Sequence, residues 1–319
     1  MKFFFKIKYF FYLTFILIFL LINFSIYASS CCGGSSSYPN LILSDYQYRL
    51  NLSYSNAINT NVADINKKID ESNQSQNNIK ENIQLGIYHK ILPLWQFGFN
   101  LNYVQNTIQS NEGEDSAQKF GDTQATIGYE FLPEFTYHPF KPRGFLTYSL
   151  GIPSGESIYE VKRSDPLFVT GEGTRSHQFA LILNRAFNSL DYFFLIGQRI
   201  YESHNFQQND ESVTSDEKLF VKPGNKLMMV LNLGFTPHLN EDLRLGFIFQ
   251  KVHQDSSSLK NKTIQTNSVP VENNDVGLDL SLKHLNRVYS FSYIDQSFLN
   301  SARNSNLQKI FNLGLIYQF

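Results

Sequence analysis

The last nine residues, FNLGLIYQF, put Phe311, Leu313, Leu315, Tyr317 and Phe319 on one parity and Asn312, Gly314, Ile316 and Gln318 on the other. A period of two marks an extended strand whose two faces meet different surroundings. The pattern recurs along the chain. In YQYRLNLSYS, Tyr46, Tyr48, Leu50, Leu52 and Tyr54 alternate with Gln47, Arg49, Asn51, Ser53 and Ser55. WQFGFNLNYV and NDVGLDLSLK repeat it. Twelve such segments lie near residues 46–57, 82–91, 95–106, 121–132, 143–153, 177–187, 191–201, 226–236, 243–253, 275–283, 287–295 and 307–319.

The connections alternate as well. LPL, NSL, PHLNED and HLN are short, whereas those after odd-numbered segments are long and rich in Asn, Ser, Asp, Glu and Lys. PEFTYHPFKP is the exception, long where a short turn is expected. Short turns at one end and long polar loops at the other are the plan of bacterial outer-membrane barrels. In hydrocarbon each unpaired backbone N–H or C=O costs several kcal/mol, so a spanning sheet must close on itself. Strands of a soluble sandwich average about five or six residues. These segments run from nine to about a dozen, the length of a tilted spanning strand. The expected fold is therefore all-β: an antiparallel up-and-down transmembrane barrel of twelve strands over residues 46–319. Strand seven, DYFFLIGQRI, is apolar on both parities, so its phase stays open.

Residues 1–28 carry Lys2, Lys6 and Lys8, then an apolar run from Tyr9 to Ile22 broken only by Thr14, then SIYASS. These are the three regions of a secretory signal peptide, with cleavage expected after Ala28 or Ser30. A retained anchor is the alternative. Residues 29–45 form a periplasmic leader or a small plug, with Leu41–Ser44 as its apolar end. Cys31 and Cys32 are the only cysteines. Lipidation, a vicinal disulfide, a soft-metal site and a plain tether all stand as readings of CCGGSSSYPN. Removing the three signal-segment lysines from 27 basic residues leaves 24 against 28 acidic ones. So mild a balance argues against nucleic acid as a partner.

The terminal run Phe311, Leu313, Leu315, Tyr317 and Phe319 resembles the C-terminal signal read by the barrel assembly machinery. Trp95, Phe131, Phe187, Phe235 and Phe319 are placed for an aromatic girdle at the periplasmic interface. FGDTQATIGYEF, LTYSLGIPSGES and GEGTRSHQF resemble the outer-membrane family named for the meta-pathway of phenol degradation. The matching positions are Gly121, Asp122, Gly128, Pro153, Gly155, Gly171 and Gly173, with Ser154 where that family has Thr. The resemblance implies a twelve-stranded barrel that passes small hydrophobic or aromatic compounds.

The residues give a lumen independently. Twelve strands tilted by about 40° make a cylinder roughly 24 Å across, with about 10 Å or less left between side chains. A polar inner wall is expected from Gln47, Arg49, Asn51, Gln96, Asn100, Asn102, Gln124, Thr126, Glu130, Asp279 and Lys283, and an apolar one from Ala180, Ile182, Met228, Val230 and Ile248. Arg49, Asn51, Asn100, Gln124, Glu130, Asp279 and Lys283 are the candidate lumen-lining set. Under one reading they border a passive path for a small hydrophobic or amphipathic solute in the outer membrane of a Gram-negative cell. Under the other, Arg49, Glu130, Asp279 and Lys283 neutralise one another in a filled, structural or adhesive barrel. None of the seven histidines sits in a catalytic motif, Ser176–His177 included, and no spacing marks a zinc site. No enzyme activity and no cofactor are expected. A TonB-type plug domain is not expected either.

Overall fold

The computed structural model describes residues 41–43, 46–66, 68–71, 76–110, 113–134, 141–157, 166–207, 218–237, 242–260, 265–299 and 301–319. The signal segment, most of the leader and Cys31–Cys32 lie outside them. The strands are β1 (Tyr48–Ala63), β2 (Ile69–Glu71), β3 (Gln76–Leu92), β4 (Trp95–Ser110), β5 (Gly113–Phe120), β6 (Thr123–Leu132), β7 (Arg143–Ile152), β8 (Ser176–Phe187), β9 (Leu190–Tyr201), β10 (His204–Gln207), β11 (Lys218–Lys222), β12 (Lys226–Phe235), β13 (Leu243–Gln254), β14 (Ser258–Lys260), β15 (Gln265–Asn267), β16 (Val271–His284), β17 (Arg287–Asp295) and β18 (Ser305–Gln318).

Twelve of these form a closed antiparallel ring in the order β1, β3, β4, β6, β7, β8, β9, β12, β13, β16, β17, β18, with β18 returning to β1. They coincide with the twelve alternating segments of the sequence. The seam is made by the terminal aromatic. Tyr48 N–H donates to the Phe319 carbonyl at 2.8 Å, Phe319 N–H donates to the Tyr48 carbonyl at 3.1 Å, and the two rings stack at 5.1 Å. The last residue thus supplies both lipid-facing surface and the final rung of the ladder.

Parity separates the faces throughout. Leu50, Leu52, Leu278, Leu280, Leu313 and Leu315 are exposed on the outside, while Arg49, Asn51, Asp279 and Asn312 are buried within. In β9 the ambiguity resolves: Asp191, Phe193 and Leu195 point inward, so its outer partners Tyr192, Phe194 and Ile196 meet lipid. Trp95, Phe187, Phe235 and Phe319 are exposed at the periplasmic ends of their strands, and Phe131 is half-exposed. Two-residue turns close three hairpins there. Asn188 (φ 51°) and Leu285 (φ 54°) begin two of them in the left-handed region that such turns demand.

The other rim is uneven. β1, β3 and β4 have 16, 17 and 16 residues, against 10 each for β6, β7 and β12. A tilted crossing needs about 9–11, so one side of the wall rises beyond the bilayer. β5 pairs with the upper part of β4 and β6 with its lower part, so β5 and β6 are one strand broken at Gly121–Asp122. Beside the low side, β10, β11, β14 and β15 make a separate four-stranded sheet.

Two substitutions test these assignments. Leu313→Arg places a charge on the lipid face mid-strand and should lower the unfolding free energy in liposomes by ~2–4 kcal/mol, read by urea titration. Inside, a Cβ at Gly98 would fall 2.0 Å from the ring of Tyr88, its cross-strand neighbour, whose hydroxyl donates to Asn100 Oδ1 at 2.5 Å. Gly98→Ala should therefore expel that ring and cost ~1–3 kcal/mol in the same titration.

Candidate functional site: a lumen in two halves

Along the barrel axis the interior changes character. In the periplasmic half the inward side chains have almost no accessible surface: Arg49, Asn51, Tyr88, Gln96, Asn100, Glu130, Phe145 and Arg244 are all buried. In the outer half Ser55, Asn82, Asn102, Gln250, Asn273 and Gln296 are half-exposed and border a chamber of about 540 Å³.

Three elements fill the periplasmic half. The first is the chain before β1. Ile42 N–H donates to Gln96 Oε1 at 2.7 Å, Arg49 Nη1 to the Leu41 carbonyl at 2.5 Å, and Arg143 Nη1 to the Leu43 carbonyl at 2.6 Å. Leu41 and Ile42 are buried, and Leu41 joins an apolar strip with Phe145, Ile182, Leu195, Val230 and Ile248. An irregular backbone among strands needs its polar groups satisfied. Arg49, Gln96 and Arg143 do that for this stretch. Gly128 makes the room: a Cβ there would lie 3.0 Å from Leu41 Cδ2.

The second element is a closed ionic cluster across four adjacent strands. Arg244 Nε and Nη2 donate to Asp191 Oδ2 and Oδ1 at 2.8 and 2.6 Å. Its Nη1 donates to Asp279 Oδ2, and Nη2 also reaches Asn232 Oδ1 at 2.9 Å. Asn232 Nδ2 returns to Asp279 Oδ1 at 2.9 Å. The third is Glu130, which accepts from Arg143 Nε at 2.8 Å. The filled-barrel alternative has Arg49, Glu130, Asp279 and Lys283 neutralising one another. Glu130 and Asp279 take Arg143 and Arg244 instead, because strand stagger brings those residues to the same depth. Lys283 lies half-exposed at the periplasmic rim, its N–H on the Asp242 carbonyl at 2.8 Å. Gln47 is exposed there too, and Gln124 is half-buried on β6. The candidate lining residues therefore do not border one path: most are packed into the filled half. The five residues expected to make the apolar wall, Ala180, Ile182, Met228, Val230 and Ile248, are all buried in the strip.

The outer half is organised by Asp122. Its Oδ1 accepts from Gly155 N–H at 3.1 Å and its Oδ2 from Glu172 N–H at 2.7 Å, so one carboxylate holds both ends of the β7–β8 connection. Ser154 Oγ donates to the Gly121 carbonyl at 2.8 Å, keeping the hydroxyl that Thr would supply. Gly155 and Gly171 touch: a Cβ on Gly155 would sit 2.9 Å from Gly171 Cα, and one on Gly171 2.3 Å from Asp122 Oδ1. Gly173 has φ +70° and faces Ser157. Asn106 Nδ2 donates to the carbonyls of Leu167 and Val169, both at 2.8 Å, drawing the connection onto the inner face of β4. The Gly-Asp, Ser-Gly and Gly-x-Gly segments thus form one knot that bends a loop into the mouth of the barrel. Val169, Thr170, Gly171 and Glu172 consequently line the chamber.

His177 lies on the outer face, its Nδ1 2.8 Å from Tyr148 Oη and its Nε2 2.8 Å from Glu202 Oε1. Among the described residues no group of three or more His, Cys, Asp or Glu is placed to hold a metal ion.

No family model matches the chain. No curated protein matches it by sequence. Among solved structures it is similar to the COG4313 outer membrane channel from Pseudomonas putida F1, with a TM-score of 0.66 at 11% identity, over 90% of this chain and 100% of that one. The β domain of the Bordetella autotransporter BrkA (TM-score 0.45, 11% identity, 86% and 100% covered) and the NanC porin (0.45, 7%, 85% and 100%) are more distant. The likeness at 0.66 is one of fold. With the closed ring and its apolar outer belt, it makes the chain a β-barrel of the Gram-negative outer membrane.

Arg244→Met would strand two buried carboxylates. It should cost ~3–5 kcal/mol in thermal or denaturant unfolding, and adding Asp191→Asn and Asp279→Asn should restore a large part of the loss.

Proposed function

We propose that this barrel is a passive channel for a small amphipathic solute, held shut on the periplasmic side by the chain at Leu41–Leu43. The carrying observation is the two-sided chamber. Asn82, Asn102, Asn273 and Gln308 form its wet wall, and Val104, Val252, Ile294 and Ile310 its apolar one. Val252 and Ile294 belong to the same apolar strip as Leu41, so the greasy wall runs from the outer mouth down to the inserted segment. A solute with an apolar body and a polar head can keep each part against like surface along that descent. The segment is held by side-chain bonds to three carbonyl or amide groups rather than by a strand ladder, so its displacement leaves the barrel intact. The resemblance to the phenol meta-pathway family, on Gly121, Asp122 and the glycines of the knot, agrees with such a solute.

The packed periplasmic half favours a second reading, a barrel whose interior is structural and whose long outer loops do the work. Planar-bilayer and liposome-swelling measurements on the mature chain decide between them. Under the channel reading, Arg49→Ala combined with Gln96→Ala frees the segment and raises open probability and swelling rate severalfold. A folded double variant that stays silent for ions, neutral solutes and amphipathic solutes alike defeats the channel reading.

A further inference from the structure

The chamber holds two lysines that the periplasmic packing does not use. Lys80 is on β3 and Lys226 on β12, the second and eighth strands around the ring and so on opposite walls. Both side chains line the chamber. Neither ammonium group makes a hydrogen bond or an ion pair with any described residue, unlike Arg143, Arg185 and Arg244 below. Glu172 projects from the inward loop into the same space and is within electrostatic reach of both lysines.

The other two acids of the chamber are less available. Both oxygens of Asp122 are taken by backbone N–H groups. Asp275 is 1% exposed and recessed in the wall, with Gln296 Nε2 at 3.4 Å. The charges around the cavity are therefore the two ammonium groups, the Arg199 guanidinium beside Lys226 that is held on Gln178, the recessed Asp275 and the Glu172 carboxylate, of which the two ammonium groups and Glu172 have no bonded side-chain partner among the described residues. Val104, Val252, Ile294 and Ile310 supply apolar surface beside them. Placing the carboxylate on the loop and the cations on the rigid wall leaves the anionic partner as the replaceable one.

We propose that the outer chamber is a binding site for small amphipathic monocarboxylates, with Lys80 and Lys226 receiving the carboxylate and Glu172, within electrostatic reach of both and bonded to neither, as its competitor. This rests on the channel reading only for its purpose, since binding is an equilibrium property of the chamber. Two ammonium groups on opposite walls of one chamber repel each other, and an anion between them removes that repulsion. Charge-assisted bonds from both would be stronger than any the neutral asparagines can offer. A neutral alcohol of the same length keeps the apolar contact and loses the head-group bonds. An amine meets repulsion.

The test is calorimetric titration of the folded mature barrel in nanodiscs, blanked against empty nanodiscs, with hexanoate, hexanol and hexylamine as probes. Hexanoate should bind best. Lys80→Gln with Lys226→Gln should weaken hexanoate by about tenfold or more while leaving hexanol unchanged. Glu172→Gln should tighten hexanoate severalfold. Equal binding of hexanoate and hexylamine, indifference of hexanoate to the lysine pair, or no gain in Glu172→Gln would each overturn the assignment. Heat-modified mobility on gels confirms that each variant is folded. Flux without lysine-dependent binding sinks this site and spares the channel. Lysine-dependent binding without flux does the reverse.

Discussion

The backbone of a strand cannot enter hydrocarbon with free N–H and C=O groups, and the rest of this structure follows from that demand. It forces the sheet to close, and here closure runs through the first spanning strand and the final residue, Tyr48 against Phe319. Once the ring is closed, the two parities are committed for the whole circumference. Leucine and phenylalanine go out to lipid, and whatever the other parity carries must be accommodated inside. The outer belt is thereby simple, and all the chemical variety of the chain is concentrated in a narrow interior.

That interior meets its own constraint. Charged groups without water must be paired and hydrogen-bonded. Arg244 with Asp191, Asp279 and Asn232 satisfies this as a closed unit, and Glu130 with Arg143 does so while Arg143 also holds the entering chain. The outer half relaxes the constraint by staying open to solvent, and there the ammonium groups of Lys80 and Lys226 stand without a bonded partner among the described residues. The filled half and the open half are two solutions to the same cost of burying charge.

Much of this was legible in the sequence because a period of two is a local property. Phe311 to Phe319 announces a two-faced strand without reference to any other residue. Twelve such stretches, with short and long connections in turn, give strand number, direction and facing. The apolar inner wall at Ala180, Ile182, Met228, Val230 and Ile248 was readable by the same parity. Arg244 and Lys226 share the parity of Ile248 and Met228, but nothing local distinguishes them from any other polar residue of that parity. The glycines of the Gly-Asp and Gly-x-Gly segments were visible as a pattern. That they meet at one aspartate, 50 residues from Glu172 along the chain, was not.

The sequence by itself determined that the chain makes twelve amphipathic strands and which residues of each meet lipid, because alternation depends only on neighbours along one strand. The tertiary structure alone decided which charges share a layer, how the β7–β8 connection turns into the mouth and where Leu41–Leu43 lodges. Those outcomes depend on strand stagger and on contacts across the closed ring. Stagger is a property of the whole circumference, written in no single segment.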